Sequence, residues 1–185
     1  MKMQDSVLQN NRLDCTAMLE EMFAGYHITY NIAKCRMIRA PVYIDWDWSL
    51  YVWNFERGTV VVIDPVNTVA GREVLMEKHE PIVHKLHKAM QKCKEEYFKD
   101  PDVDMEDWTR DYISIQGANC GSTCSGLYTM FYARYFDGQM LTRIVTPESQ
   151  NMHKFNILHQ LLSLAQNNAS LPPILKAALQ MEVEE

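Results

Sequence analysis

Cys120 stands in the run Gln116-Gly117-Ala118-Asn119-Cys120-Gly121 and is the strongest candidate nucleophile of this 185-residue chain. A glycine-containing turn leading straight into a helix would put its sulfur at the helix's first turn. Free backbone N–H groups and the positive end of the helix dipole stabilise a thiolate there. Free cysteines are more often inert core residues, and Cys124, one turn on, is expected to be of that kind. A cysteine nucleophile also needs a base, normally an imidazole that takes the thiol proton and returns it to the leaving group. The second stretch that could do chemistry, VYIDWDWSLYVWNF over residues 42–55, sets two acids beside two tryptophans, Asp45-Trp46-Asp47-Trp48, and carries no histidine. Asp64 closes the next apolar run.

Other chemistries have weaker footing. Cys120 and Cys124 have a tolerable spacing for half a zinc site, but no second Cys or His pair stands nearby at ligand spacing. His84 and His87 lie one turn apart on an expected helix, where a His, Lys and Glu mixture reads as a solvated face rather than a metal site. The acidic run 100–107 lacks the Gly and terminal Glu of a calcium loop. Neither a metal nor a cofactor is expected. The net charge of −6 and the Glu95, Glu96 and Asp100 within the one Lys-rich stretch argue against nucleic acid, which demands clustered cations. No apolar run approaches the roughly 20 residues of a membrane span, and the first residues, MKMQDSVLQNNR, resemble neither a signal nor a transit peptide. Five cysteines form an odd, sparse set of the reduced kind. The expectation is a cytosolic or nuclear protein with no membrane contact.

The elements that would position these residues follow from periodicity. The chain, 47% hydrophobic, reads as one domain over 1–185. Residues 5–24 read as a helix. Met37–Ile44, Trp48–Phe55 and Thr59–Ile63 are β-branched and aromatic runs, the last two joined by the hairpin signal Glu56-Arg57-Gly58. Asp64-Pro65 ends the third. From Arg72 to Tyr97 the recurrence of Ile82, Leu86, Met90, Cys93 and Tyr97 predicts a long amphipathic helix. A short strand over Asp111–Ile115 precedes a helix from Cys120 to about Phe136. That helix carries the aromatics Tyr128, Phe131, Tyr132, Tyr135 and Phe136, expected mostly as core, and is closed near Gly138. Helices over 152–166 and after Pro172-Pro173 complete the order. The fold class is α+β, with helices on a small, mostly antiparallel sheet.

Taken together, WSLYVWNFERGTVVVIDP and ISIQGANCGSTCSGLYTMFYARYFDG resemble the ubiquitin-like-protein-specific proteases, the cysteine peptidases that process and remove SUMO and its relatives, in particular divergent plant and transposon-borne members. The resemblance covers residues 35–140 and rests on the order of the motifs. It implies a cysteine-proteinase-like fold of the adenain and SUMO-protease type. In that family a His-Trp-x-Leu strand is followed by a hairpin ending in Asp, then by a Gln-containing turn and Asp-Cys-Gly. Here Trp48-Ser49-Leu50 keeps the first motif, Asp64 stands 17 positions after Asp47, and Cys120-Gly121 keeps the nucleophile. Asp47 therefore falls on the histidine's place. A carboxylate with a reference pKa near 3.9 is a poor base for a thiol near 8.5, and its charge opposes the thiolate. In an ungapped match Ser114 takes the place of the oxyanion-hole Gln, and Gln116 replaces it only if the turn is shorter. His27, His79 and His153 lie outside the matched strand. With 46 residues before Asp47, the resemblance also implies an amino-terminally truncated domain.

What the resemblance implies is a degenerate triad of Cys120, Asp64 and Asp47 in a pseudopeptidase that binds a protein, a ubiquitin-like modifier being the candidate. Trp48 would cover the tail of such a partner, or else anchor the core. The alternative is an active deSUMOylating cysteine peptidase or isopeptidase with an altered base, such as Asp47 acting through water. A third reading is a self-associating protein, a homo-oligomer that covers apolar surface left by the missing part.

Overall fold

A computed structural model describes residues 34–66, 70–97, 104–115 and 120–164, together with 25–26, 29 and 173–174. The helix expected over 5–24, the oxyanion-hole candidate Gln116 and almost all of the helix expected after Pro172 lie outside the described residues. The chain falls into two compact units, residues 1–147 and 148–185.

The first unit is α+β, as the periodicities predict. Strands β1 (Met37–Ile44), β2 (Asp47–Asn54), β3 (Thr59–Asp64) and β4 (Thr109–Ser114) form one sheet in the order β1-β2-β3-β4. The first three are antiparallel neighbours, and β4 runs parallel to β3. That last pairing needs a long crossover, supplied by helix α1 (Arg72–Tyr97). Alternation along the buried strands divides the core in two. Tyr51, Trp53, Val60, Val62 and Tyr112 pack toward α1 with Leu75, Val83 and Met90. Leu50, Val52, Val61 and Ile63 pack on the other face, against Tyr128, Phe131 and Tyr132 of helix α2 (Ser125–Tyr135) and against Phe136. The aromatic residues of α2 are thus core, as expected.

Two expectations change. The buried stripe of α1 is Leu75, His79, Val83, His87, Met90 and Cys93, while Ile82 and Leu86 are only half-buried. Two histidines occupy core positions because the sheet satisfies them. Trp53 donates its indole N–H to His87 Nδ1 at 3.2 Å, and His87 Nε2 meets the Met105 carbonyl at 2.7 Å. His87 is therefore structural, not part of a solvated face. The other change is that α2 starts at Ser125, not at Cys120. Gly121 is extended (φ −80°, ψ 158°), and Ser122–Cys124 make one 3₁₀ turn, which the Ser125 hydroxyl caps by donating to the Ser122 carbonyl at 2.8 Å.

Helix α3 (Pro147–Leu162), all but its first residue in the second unit, opens on proline at its first position, where the missing N–H costs nothing. It starts five residues earlier than the apolar pattern suggests, and it buries none of its residues.

Candidate functional site

The strand ends bring the three triad candidates to one end of the sheet. Asp47 opens β2, Asp64 closes β3, and Cys120 precedes the 3₁₀ turn. All three are buried, at 8%, 0% and 8% exposure. The register places Ser114 opposite Asp64, so this oxyanion candidate closes the same sheet end.

Cys120 is not the helix-stabilised thiolate that its neighbours suggested. The α-helix begins five residues later, and the Cys120 thiol itself donates, toward the Gly121 carbonyl at 3.4 Å. Burial, then the neighbouring Cys124, Asp47 and Asp64, push its pKa up to about 12. Both carboxylates are thus near enough to oppose a thiolate. No described hydrogen bond joins the sulfur to either of them or to an imidazole. The sulfur packs with the α2-side core, whereas alternation along β2 and β3 directs Asp47 and Asp64 toward the α1 side.

Asp64 has partners that the sequence did not reveal. Its Oδ2 accepts from Lys78 Nζ at 2.8 Å and pairs with His79 Nε2 at 3.0 Å, and its Oδ1 accepts the Val66 backbone N–H at 2.9 Å. His79 Nδ1 meets the Tyr51 hydroxyl at 2.9 Å. One assignment satisfies the whole chain: Tyr51 O–H donates to Nδ1, and Nε2–H donates to the carboxylate. His79 and Tyr51 are both fully buried, and burial raises the tyrosine pKa well above its usual value. The place of His79 in the chain seemed to remove it from the site. In space it is the partner of Asp64, yet both of its ring nitrogens are taken. The available signal was that His79 lies four residues from Leu75 and four from Val83 on the buried stripe.

Asp47 has the opposite character. Its Oδ1 is buried without a hydrogen-bond partner among the described residues, as is Ser49 Oγ, two residues along the same strand face. An unpartnered buried carboxylate oxygen costs about 1–3 kcal/mol or more, so the position is not optimised for stability.

Trp48, the sequence candidate for partner binding, is half-buried. Its ring packs against the backbone of Gly126, where an added Cβ would lie 3.3 Å from Cδ1, and against Tyr43 at 5.1 Å between ring centroids. The Trp48 N–H donates to Ser125 Oγ and its carbonyl accepts from Thr129, so it ties β2 to α2. The exposed indole is Trp46, at 82%. Ile44 pairs with Asp47 across a two-residue turn in which Asp45 (φ 49°) and Trp46 (φ 70°) are both left-handed. That is the type I′ hairpin geometry, which favours Asp at the first position but Gly at the second. An L-residue in this conformation costs roughly 1–2 kcal/mol. Trp46→Gly is therefore expected to stabilise the domain by about 1 kcal/mol in urea unfolding. A loss of stability would mean that the indole makes a contact worth more than the strain.

Among the described residues, no group of three or more His, Cys, Asp or Glu side chains could hold a metal ion, and no helix is long and apolar enough to cross a membrane. No protein-family model matches the sequence, and no curated protein matches it. One solved structure with a similar arrangement is the X-ray structure of the C-terminal Ulp1 protease domain in complex with Smt3, the yeast orthologue of SUMO. The two are 14% identical with a TM-score of 0.48, over 80% of this chain and 63% of that one. This chain thus spans less than two thirds of that domain.

Proposed function

We propose that this chain is a catalytically inactive domain of the SUMO-protease type, working by binding a protein and not by cleaving one. The observation that carries the reading is the setting of Cys120: the sulfur is buried, that burial together with Cys124, Asp47 and Asp64 beside it pushes the thiol pKa up, and no described hydrogen bond joins it to an imidazole. Cysteine peptidase chemistry needs the reverse, a thiol that gives its proton to a base and a carboxylate free to orient that base. Asp47 stands on the base's place, and Asp64 is committed to Lys78 and His79. The ordered motifs from Trp48 to Gly121 support the family reading, with a ubiquitin-like modifier as the candidate partner. The exposed indole of Trp46, held at a conformational cost beside this sheet end, supports a binding role, because tryptophan is the residue most enriched among interface hot spots.

The test is incubation with SUMO-type precursors and with an electrophilic activity-based probe. The expected result is no processing and no adduct at Cys120. Processing that disappears in Cys120→Ala would overturn the reading in favour of a working peptidase. Asp47→His is expected to leave the protein inactive, because the carboxylate that should orient the new imidazole stays bound to Lys78 and His79.

A further inference from the structure

At the other end of the sheet, around the β2–β3 turn, lies a cleft of about 380 Å³ that the reading of Cys120 does not use. Side chains at alternate positions of two parallel strands, Thr59 and Val61 on β3 and Thr109 and Asp111 on β4, share one face and line it. The Gly138-Gln139 segment forms a wall, fixed to β2 by the hydrogen bond from Asn54 Nδ2 to the Gly138 carbonyl at 2.9 Å. Arg57 from the turn, Arg72 from the start of α1 and Arg110 complete the lining. The turn itself is held in place: Gly58 takes a left-handed φ of 59°, and its carbonyl accepts the Thr109 N–H at 3.1 Å.

Three arginines among the lining residues stand out in a chain of net charge −6, although the register sets Arg110 with Val60 on the α1-facing side of the sheet. Their commitments differ. Arg110 is paired with Glu80. Arg72 donates to the Arg110 carbonyl at 3.1 Å and approaches Asp111 Oδ1 only at 3.5 Å, well beyond the 2.7–2.9 Å of a tight charge-assisted bond. Arg57 has no counter-ion among the described residues, and neither the Thr59 nor the Thr109 hydroxyl has a described partner. Arg57 and the two threonine hydroxyls, beside an Arg72 held by only one long charge contact, offer donors from several directions, which a tetrahedral oxyanion can accept.

We propose that this cleft binds a phosphate-type oxyanion between Arg57 and Arg72, with the Thr59 and Thr109 hydroxyls as further donors. The ligand chemistry is a phosphate monoester or free phosphate. The site is independent of the function argued above for the Cys120 end, and Asp111 is its internal competitor for Arg72.

The test follows backbone amide shifts and melting temperature of the full chain during titration with inorganic phosphate and, separately, with a phosphoserine peptide and its unphosphorylated counterpart. Saturable shifts confined to residues 57–59, 72, 109–111 and 138–139 are expected. Arg57→Gln should weaken binding about tenfold, the scale of one lost charge-assisted bond. Asp111→Asn should tighten it several-fold by removing the competing charge. Arg57 and Asp111 are both exposed, so the unliganded variants should melt like the wild type. Preference for the phosphoserine peptide would identify a phosphorylated partner protein; equal response to free phosphate would identify a small-molecule ligand. No saturation by 10 mM of either ligand, or unchanged affinity in both variants, would overturn the proposal.

Discussion

Cys120 is expected to react with iodoacetamide at neutral pH on the order of 10³-fold more slowly than an unperturbed cysteine. The thiolate is the reacting species. With the thiol pushed up to about 12, its ionised fraction at pH 7.5 falls about three orders of magnitude below that of a free thiol of pKa near 8.5. Peptide-resolved mass spectrometry separates Cys120 from the other cysteines, and its rate should still be rising at pH 10. A rate that levels off between pH 5 and 7 would reveal an activated thiolate and remove the ground for reading the site as inert. The same shift bears on stability. A thiol whose folded pKa is raised keeps its proton where the unfolded chain has already lost one, so the stabilisation is complete below about pH 8.5 and declines as pH rises toward 12. Cys93, raised to about 11 by burial and by Glu96, acts in the same direction. Urea midpoints should therefore fall between pH 8 and pH 10.

How much of this was legible in the sequence depends on how local each feature is. Strands β1 to β3 and helix α1 could be read to within a residue or so, because each has its own periodicity and a local stop: Glu56-Arg57-Gly58 between β2 and β3, Asp64-Pro65 after β3. The position of Asp47 at the mouth of β2 and of Asp64 at the end of β3 followed from the same patterns. What could not be read depends on contacts distant in sequence. His79 meets Asp64 across 15 residues and Tyr51 across 28, and a histidine scores as polar in any hydrophobic pattern. Its place in the core appears only once the sheet supplies a donor and an acceptor. The late start of α2 is a short-range miss: the Ser125 hydroxyl caps a 3₁₀ turn that the residues before it could equally have extended as α-helix. Trp46 and Trp48 have the same side chain two positions apart, but Trp46 sits in the left-handed turn before β2 and faces solvent, whereas Trp48 lies within β2 and is tied to Gly126.

His79→Ala is expected to destabilise the domain by about 3–5 kcal/mol, the largest effect of any single change considered. Removing the imidazole leaves the fully buried Asp64 carboxylate without one of its donors, strips the Tyr51 hydroxyl of its partner, and opens a cavity between α1 and the sheet. Each consequence alone costs on the order of 1 kcal/mol or more, and all three fall on one buried cluster. Tyr51→Phe removes only the hydroxyl and should cost about 1 kcal/mol. The cost of His79→Ala should shrink in an Asp64→Asn background, because a neutral amide tolerates the loss of a donor better than a carboxylate does. Such a double-mutant cycle separates the charge term from the cavity term. The cluster also gives Asp64 a structural duty that does not depend on Cys120: with Lys78 and His79 it fastens the first turns of α1 to the end of β3. If His79→Ala costs less than 1 kcal/mol in chemical denaturation, Asp64 has no such duty, and the statement that it is committed to Lys78 and His79 fails with it.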